Sequence, residues 1–239
     1  MKAVVLAAGR GRRLREITGP VNKCMLTFRD RHLIEYSLEA ARRSAVEEII
    51  IVVGYRAEDI VHRYGIDYRG VGIRYVIQEE RNGLVDAIEH CRPALKGQDF
   101  MLFLADEILI DPRPAGMIDV FREEELFVVC GVARVEDRNE IKKTYAVIYN
   151  PEDNRIYRLV EKPRRPFNNI MGTGNCIFRN AILDYIPFTP INQFRREKEL
   201  PDLIQCAIDD GHPVQLFPVA AQYVNINTAE DVELAERRL

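Results

Sequence analysis

The sequence predicts an α/β protein, a three-layer α/β/α sandwich on a mixed, mostly parallel sheet. Three observations predict it: short apolar runs in the first half, amphipathic helical stretches between them, and turn-separated strand-like segments in the second half. Strands that alternate with helices form β-α-β units, which give parallel pairing with right-handed crossovers. We expect the 239 residues to form one domain with two halves, residues 1–110 and 111–239.

The sequence of the first half predicts four buried strands with helices between them. Continuous apolar runs are typical of parallel strands that are covered on both faces. The predicted strands are Ala3–Ala8, Glu48–Gly54, Gly72–Gln78 and Phe100–Ala105. The predicted helices are His32–Arg43, with apolar residues at helical spacing, Ala57–Tyr64 and Gly83–Cys91.

The second half has shorter strand-like segments separated by turns. These segments are Leu126–Ala133, Tyr145–Tyr149, Arg155–Glu161, Asn175–Phe178 and Val214–Pro218. Helical stretches are expected near residues 180–185 and 200–210, and a last helix begins at Ala229 with Thr228 as its cap. Pro163–Asn169 is expected to be a loop. This half is therefore expected to add a subregion that faces the strand ends.

Composition argues against several classes of protein. A net charge of −3 gives no overall field that attracts nucleic acid. No run of about 18 apolar residues is present, so no transmembrane helix is expected. The apolar run near the N-terminus is too short for a signal peptide. Five cysteines without CxxC spacing indicate reduced thiols in a cytoplasmic protein and no zinc site.

The first 23 residues hold six cations and one anion, and Gly9 and Gly11 lie among these charges. Such a charge run is often only a solvated surface, but Gly9 and Gly11 directly follow a predicted strand. Small residues at a strand end let backbone N–H groups approach phosphate oxygens. Leu14 replaces the third glycine of a dinucleotide fingerprint, and the GK[ST] of a P-loop is missing. We therefore expect a phosphate-binding loop of another type.

Two segments, LAAGRGRRL at residues 6–14 and GPVNKCML at residues 19–26, resemble a known family signature. The family is the sugar-phosphate nucleotidyltransferases, which include glucose-1-phosphate thymidylyltransferase and N-acetylglucosamine-1-phosphate uridylyltransferase, and the resemblance extends over nearly the whole chain. It implies a Rossmann-like nucleotide-diphospho-sugar transferase fold. It also implies that Arg13 and Lys23 are catalytic and neutralise the triphosphate and the leaving pyrophosphate. In-line displacement at phosphorus needs such charge neutralisation and positioning. Arg12 departs from the family, which usually has Thr or Ser there, and its role stays open.

The resemblance implies a nucleotide site along the strand ends of the first half. Its expected residues are Leu6, Ala7, Ala8, Gly9, Gly11, Gln78 and Gly83. In the thymidylyl and uridylyl members, a Gln and a Gly five residues later hold the pyrimidine, as Gln78 and Gly83 are spaced. A Gln amide has a donor and an acceptor, so it can pair with N3–H and O4 of uracil or thymine. UTP and dTTP are favoured, while GTP and CTP stay open.

Two residues are candidates for a Mg²⁺ site. Asp106 follows a predicted strand where the family has a metal-binding Asp, usually after Gly; Ala105 stands before it. Asn225 lies in YVNINTAEDVELAE, which resembles the motif that brings the second ligand. Such a loose octahedral site relies on waters and substrate oxygens. Asn225 and Asn227 are alternatively turn residues before a helix cap, and Glu107 is left out because we expect its side chain to point elsewhere.

The resemblance also implies a sugar-phosphate site in the second half. The family uses Glu161 for sugar hydroxyls and Lys162, as a catalytic residue, for the sugar phosphate. Because successive strand residues face opposite sides, at most one of these two charges need be buried. Further expected contacts are Tyr145, Ala146, Gly174 and Asn175. Ala146 stands where the family has Gly, and its methyl group leaves the identity of the sugar open.

Together these expectations describe a Mg²⁺-dependent transfer. The 1-phosphate oxygen of a sugar attacks the α-phosphorus of a nucleoside triphosphate, which yields an NDP-sugar and pyrophosphate. Two alternatives stay open: cytidylyl or guanylyl transfer to another phosphorylated small molecule, and a catalytically silent homologue that binds a nucleotide sugar. The expected partners are the two substrates, without nucleic acid or membrane; a homo-oligomer is left open.

Overall fold

The computed structural model describes residues 1–11, 22–80 and 82–238. Strands of four or more residues in this part are β1 Lys2–Leu6, β2 Ile49–Val53, β3 Val71–Ile77, β4 Phe100–Leu104, β5 Glu107–Ile110, β6 Val128–Arg134, β7 Tyr145–Tyr149, β8 Ile156–Glu161, β9 Ile170–Phe178, β10 Val214–Pro218 and β11 Gln222–Asn225. The α-helices are α1 Leu33–Arg43, α2 Ala57–Tyr64, α3 Leu84–His90, α4 Arg92–Leu95, α5 Pro114–Glu123, α6 Leu200–Asp209 and α7 Ala229–Arg238. Turns of 3-10 helix lie at Lys23–Met25, Arg138–Lys143 and Asn180–Phe188.

The apolar run after Met1 lies in the middle of the main sheet. Strand β1 pairs in parallel with β2 on one side and with β4 on the other, so that Val4 faces Ile50 and Leu102. Strand β3 extends the parallel part beyond β2. Strand β9 pairs antiparallel with β4 and joins the second half of the chain to the first. The predicted mixed, largely parallel sheet is confirmed.

Hydrophobic residues cover both faces of this sheet. One face of β1 and β2 packs against α1, α2 and α5, and the other packs against α3, α6 and the 3-10 turn at Asn180–Phe188. Both faces of β2 are buried because its neighbouring residues point to opposite sides of the sheet and are all apolar. The sandwich therefore leaves only the ends of the strands for a site.

The ladder of β9 is interrupted in its middle. Gly172 still pairs with Tyr145 of β7, but the regular register resumes only at Cys176, opposite Leu102 of β4. Residues 173–175 lie outside the ladder although all three are buried. This break places their backbone groups beside the carboxyl end of β4.

Two regions differ from the sequence-based expectation. Helix α5 was not predicted, and neither was the antiparallel pair formed by β5 and β11. Strand β9 begins at Ile170, five residues before the expected strand, because Gly172 and Gly174 weaken the strand pattern. The expected cap of α7 is present: Thr228 Oγ1 accepts from Asp231 N at 3.3 Å, and Asp231 Oδ2 accepts from Thr228 N at 2.9 Å.

Candidate active site

Two adjoining cavities open at the carboxyl ends of the parallel strands. The first has a volume of about 380 Å³ and the second about 500 Å³. They share a wall made by Leu84, Leu104, Arg195 and Glu197. We call them the β1 cavity and the β9 cavity, since β1 ends at the first and the interrupted part of β9 borders the second. Open α/β sheets bind ligands at this edge.

The glycine loop after β1 borders the first cavity. Leu6, Ala8 and Gly9 line it, together with Lys23 and Asp106. Ala7 does not line it: its side chain is in the core, and its N–H donates to Val52 O at 2.8 Å. Ala7 is therefore not available for a backbone contact to phosphate.

Gly11 packs directly on the stem of Lys23. Gly11 has φ +58°, and a Cβ there would lie 2.6 Å from Lys23 Cβ, so both its backbone angle and the close approach require glycine. Lys23 is only 7% exposed. The loop thus fixes where the ammonium group lies. Arg12, Arg13 and Leu14 lie outside the described residues.

Lys23 joins the predicted metal residues into one polar chain. Lys23 Nζ donates to Asp106 Oδ2 at 2.5 Å and to Asn227 Oδ1 at 2.9 Å. Asn227 Nδ2 in turn donates to Asn225 Oδ1 at 2.7 Å. The pairing of β5 with β11 brings these late residues to Asp106, because Ile226 N donates to Asp106 O at 2.9 Å.

The oxygen atoms of this chain fit a weakly held hard cation. Asp106 supplies a carboxylate, and Asn225 and Asn227 supply amide oxygens, the ligand types that Mg²⁺ prefers. The described ranges contain no cluster of three or more His, Cys, Asp or Glu side chains suited to a metal. A cation at this place would therefore depend on phosphate oxygens of a substrate for much of its coordination.

Gln78 and Gly83 border the β1 cavity at the start of α3. Gln78 is 4% exposed, and its Nε2 donates to Gly83 O at 3.1 Å and to Asp86 Oδ2 at 2.7 Å. The expectation that this amide uses both its donor and its acceptor on a base does not fit, because both N–H bonds are directed to protein acceptors. What the amide offers to a ligand is its carbonyl oxygen.

Glu161 and Lys162 both line the β9 cavity. Their charges pair directly, with Lys162 Nζ 2.9 Å from Glu161 Oε1. Both side chains reach the same cavity because β8 ends at Glu161 and Lys162 adopts φ +42°, which turns its side chain back toward Glu161. Neither residue is fully buried, which is compatible with the expectation that at most one of the two charges need be buried. Burial, and next the charge of Glu199, raises the pKa of Glu161 to about 8.

Glu107, which the sequence reasoning left out, is the central buried acceptor behind the β9 cavity. Its Oε1 accepts from Tyr223 OH at 2.6 Å and from Gly174 N at 2.9 Å, and its Oε2 accepts from Asn175 Nδ2 at 2.7 Å. Burial raises its pKa to about 8, while the Tyr223 hydroxyl and Gly174 N–H act in the opposite direction. The sequence reasoning expected this side chain to point elsewhere, whereas Glu107 borders the β9 cavity.

The remaining predicted sugar contacts divide into two layers. Tyr145 and Gly174 line the β9 cavity. Ala146 and Asn175 do not line it: Ala146 is fully buried in the core, and Asn175 lies behind the wall with its amide on Glu107. An Ala146 methyl group therefore points into the core and does not narrow the cavity.

Arg195, Glu197 and Glu199 complete the wall beside Glu161, and no sequence motif marks these three residues. Arg195 contacts Glu161 at 3.2 Å, Glu197 at 2.7 Å and Glu199 at 3.1 Å. Arg195 and Glu197 belong to the hairpin of the two-residue strands Ile191–Asn192 and Glu197–Lys198. Sequence reasoning missed this group because only the fold brings this hairpin to the end of β8.

Comparisons with known proteins agree with this geometry. The chain matches the nucleotidyl transferase family over residues 2–223. It is 31% identical to a UTP–glucose-1-phosphate uridylyltransferase of Haloferax volcanii, over 100% of this chain and 96% of that protein. It is 28% identical to a glucose-1-phosphate thymidylyltransferase of Streptomyces griseus, over 97% of this chain but only 64% of that protein.

Solved structures show the same fold. A UDP-glucose pyrophosphorylase complexed with UDP-glucose superposes with a TM-score of 0.88, at 21% identity, over 99% of this chain and 97% of that one. No helix in the described ranges combines the length and apolar character needed to cross a membrane.

Proposed function

We propose, since the chain belongs to the nucleotidyl transferase family, that it transfers a nucleoside monophosphate from UTP or dTTP to a sugar 1-phosphate. The products are an NDP-sugar and pyrophosphate. The observation that carries the proposal is the pair of adjoining cavities with a lysine in each, Lys23 in the β1 cavity and Lys162 in the β9 cavity. Two anionic substrates that react with each other need two such neighbouring sites.

In this proposal the β1 cavity binds the nucleotide. The loop at Gly9 and Gly11 approaches the triphosphate, and Lys23, with Arg13 by family resemblance, neutralises the leaving pyrophosphate. The buried position of Lys23 supports this role because a fixed charge in a partly dry site stabilises developing phosphate charge more than a solvated one. Residues 1–110 supply most of this cavity, which supports the proposal that they form a nucleotide-binding half.

The β9 cavity binds the sugar phosphate. Lys162 contacts the phosphate, and Glu161 and the backbone at Gly174 contact the sugar hydroxyls. The phosphate oxygen is already an anion, so no side chain has to remove a proton before it attacks. The main task of the protein is to hold the two substrates in line, and positioning of this kind accounts for much of the rate in such reactions.

The proposed cation site consists of Asp106 with the amide oxygens of Asn225 and Asn227. Mg²⁺, when bound, would neutralise phosphate charge next to Lys23. In the described structure Lys23 Nζ donates to two of these side chains, so the ammonium group and a cation compete for the same oxygens. With a cation held by Asp106 and Asn227, the Lys23 ammonium group would be available to contact the phosphates.

Pyrophosphate release is the direct test of the proposed function. The purified chain is incubated with each of UTP, dTTP, CTP and GTP and with a panel of sugar 1-phosphates, inositol 1-phosphate and phosphocholine. We expect release with UTP or dTTP and a sugar 1-phosphate only. Release confined to CTP or GTP with another phosphate would refute it, and nucleotide binding without release in any combination would indicate a silent homologue.

The metal assignment is tested with Asp106→Asn. The variant keeps the shape of the side chain but lowers its charge, so we expect a loss of kcat on the order of a hundredfold and a higher Mg²⁺ requirement. Asp119→Asn, an exposed acid on α5, is the matched control and should behave like the wild type. An Asp106→Asn enzyme with a near wild-type rate and Mg²⁺ response would disprove the assignment.

A further inference from the structure

The Gln78 amide is held by two acceptors that lie on the same side of it. Nε2 donates to Gly83 O and to Asp86 Oδ2, the second at 2.7 Å. A backbone carbonyl and an ionised carboxylate can only accept hydrogen bonds. A flipped amide would place its own oxygen against both acceptors, so the orientation is set by chemistry. Oε1 therefore faces the β1 cavity, which Gln78 lines.

Asp86 reaches this position from the first turn of α3. Asp86 is the acidic residue of that turn. Asp86 does not line the β1 cavity. Any influence it has on a ligand is therefore exerted through Gln78.

An amide fixed in this way discriminates between pyrimidines. Uracil and thymine carry an N–H at ring position 3, which can donate to Oε1 of Gln78. Cytosine has a lone pair at the same ring atom, and two acceptors that face each other repel. Cytosine can be accepted in the same pose only if the Gln78 amide turns over, which breaks the contact with Asp86.

We propose that Asp86 is a specificity-determining positioning residue that makes the β1 cavity select UTP or dTTP over CTP by locking the Gln78 amide. The inference rests on the proposed function in that it takes the β1 cavity as the nucleotide site. Gly83 O supports the same orientation, but through a neutral acceptor at a longer distance. The Asp86 carboxylate contributes more than Gly83 O to the energy that holds the amide in this orientation, because hydrogen bonds to charged groups are stronger than those to neutral groups.

The test compares UTP with CTP in the wild type, Asp86→Asn and Asp86→Ala. Asn presents either a donor or an acceptor, so it accommodates both amide orientations, and Ala removes the partner. We expect the UTP:CTP ratio of kcat/KM to fall on the order of tenfold in both variants, carried by KM and not by kcat. Glu89→Gln is the control: Glu89 lies on the same helix but pairs with Arg92 at 2.9 Å, and its ratio should stay at the wild-type value.

The dissociation constants of UTP and CTP, measured by calorimetry on the same proteins, separate this inference from the proposed function. If the chain releases no pyrophosphate, the proposed function fails, while the ratio of the two constants still tests Asp86. A wild type that prefers CTP, or a ratio unchanged in folded Asp86→Asn and Asp86→Ala proteins, would overturn the inference. If Asp86 had only a structural role, its substitution would weaken the binding of UTP and CTP equally, and this result would overturn the inference as well.

Discussion

Removal of the Glu107 carboxylate should damage both the fold and the β9 cavity. Glu107 is 3% exposed and accepts hydrogen bonds from three donors, Tyr223 OH, Gly174 N and Asn175 Nδ2. In Glu107→Leu the tyrosine hydroxyl can rotate to another partner, which leaves two buried donors without their acceptor. Each costs about 1–3 kcal/mol, so the gross loss is roughly 2–6 kcal/mol.

Part of that loss is offset because burial removes water from a carboxyl group at a cost in free energy, and a leucine side chain has no such cost. Burial raises the pKa of Glu107 to about 8, which shows that its charged form is disfavoured at this position. We therefore expect a net decrease in the free energy of unfolding of about 2–4 kcal/mol, a large part of the usual 5–15 kcal/mol. Glu107→Gln retains one acceptor oxygen and should lose about 1–2 kcal/mol.

Urea unfolding measures the stability change, and steady-state kinetics measure the cavity. Gly174 lines the β9 cavity, so Glu107→Gln should raise KM for the sugar 1-phosphate while KM for the nucleotide stays near the wild-type value. Glu123→Gln, an exposed acid on α5, controls for the loss of one negative charge. If Glu107→Leu unfolds at the wild-type urea concentration with an unchanged sugar KM, the account of Glu107 is wrong.

Two further predictions concern the same wall. A Cβ at Gly174 would meet the Leu104 side chain and lie 3.1 Å from Glu107 Oε1, so Gly174→Ala should lose about 1–3 kcal/mol in thermal unfolding. Gly72→Ala, where a Cβ meets nothing within 4 Å, should melt at or above the wild-type temperature; equal melting of both variants would contradict the packing argument. The pKa of Glu161 lies at about 8 in the fold instead of the ordinary 4.5, so the folded state holds this proton more tightly. Its contribution to stability should be greatest below pH 4.5 and lost as the pH rises through 8, and Glu161→Gln should flatten that decline in denaturation curves between pH 5 and 9; a slope identical to that of the wild type would refute the assignment.

The β1 cavity was the more predictable half of the site. Gly9, Gln78 and Asp106 each follow a strand of the parallel part, and such strand ends necessarily meet at one edge of the sheet. Continuous apolar runs marked β1 and β4, so the short-range pattern was sufficient for these two strands. The detailed hydrogen bonding of Gln78 was not predictable, because it depends on the side chain of Asp86, which lies eight residues later in the first turn of α3.

The β9 cavity, which Asn225 and Lys162 line, depended on contacts between distant parts of the chain. Asn225 reaches Asp106 only because β11 pairs with β5, although more than a hundred residues separate them, and neither strand is long enough for a clear pattern. The side chain of Lys162 lies on the same side as that of Glu161 because Lys162 has a positive φ angle. The alternation of side chains along a strand does not predict a positive φ angle at a non-glycine residue. Local periodicity carries no information on either feature.

The interrupted strand β9 has a consequence for how such a chain can diversify. One continuous segment crosses the core opposite Leu102 and also supplies Gly174 to the cavity. Substitutions within residues 172–175 should therefore be tolerated poorly during evolution, whatever ligand is selected. Changes in the hairpin with Arg195 and Glu197 do not disturb the main sheet, since the hairpin lies outside it. We expect libraries randomised at the hairpin to yield folded variants with altered substrate choice far more often than libraries randomised at β9.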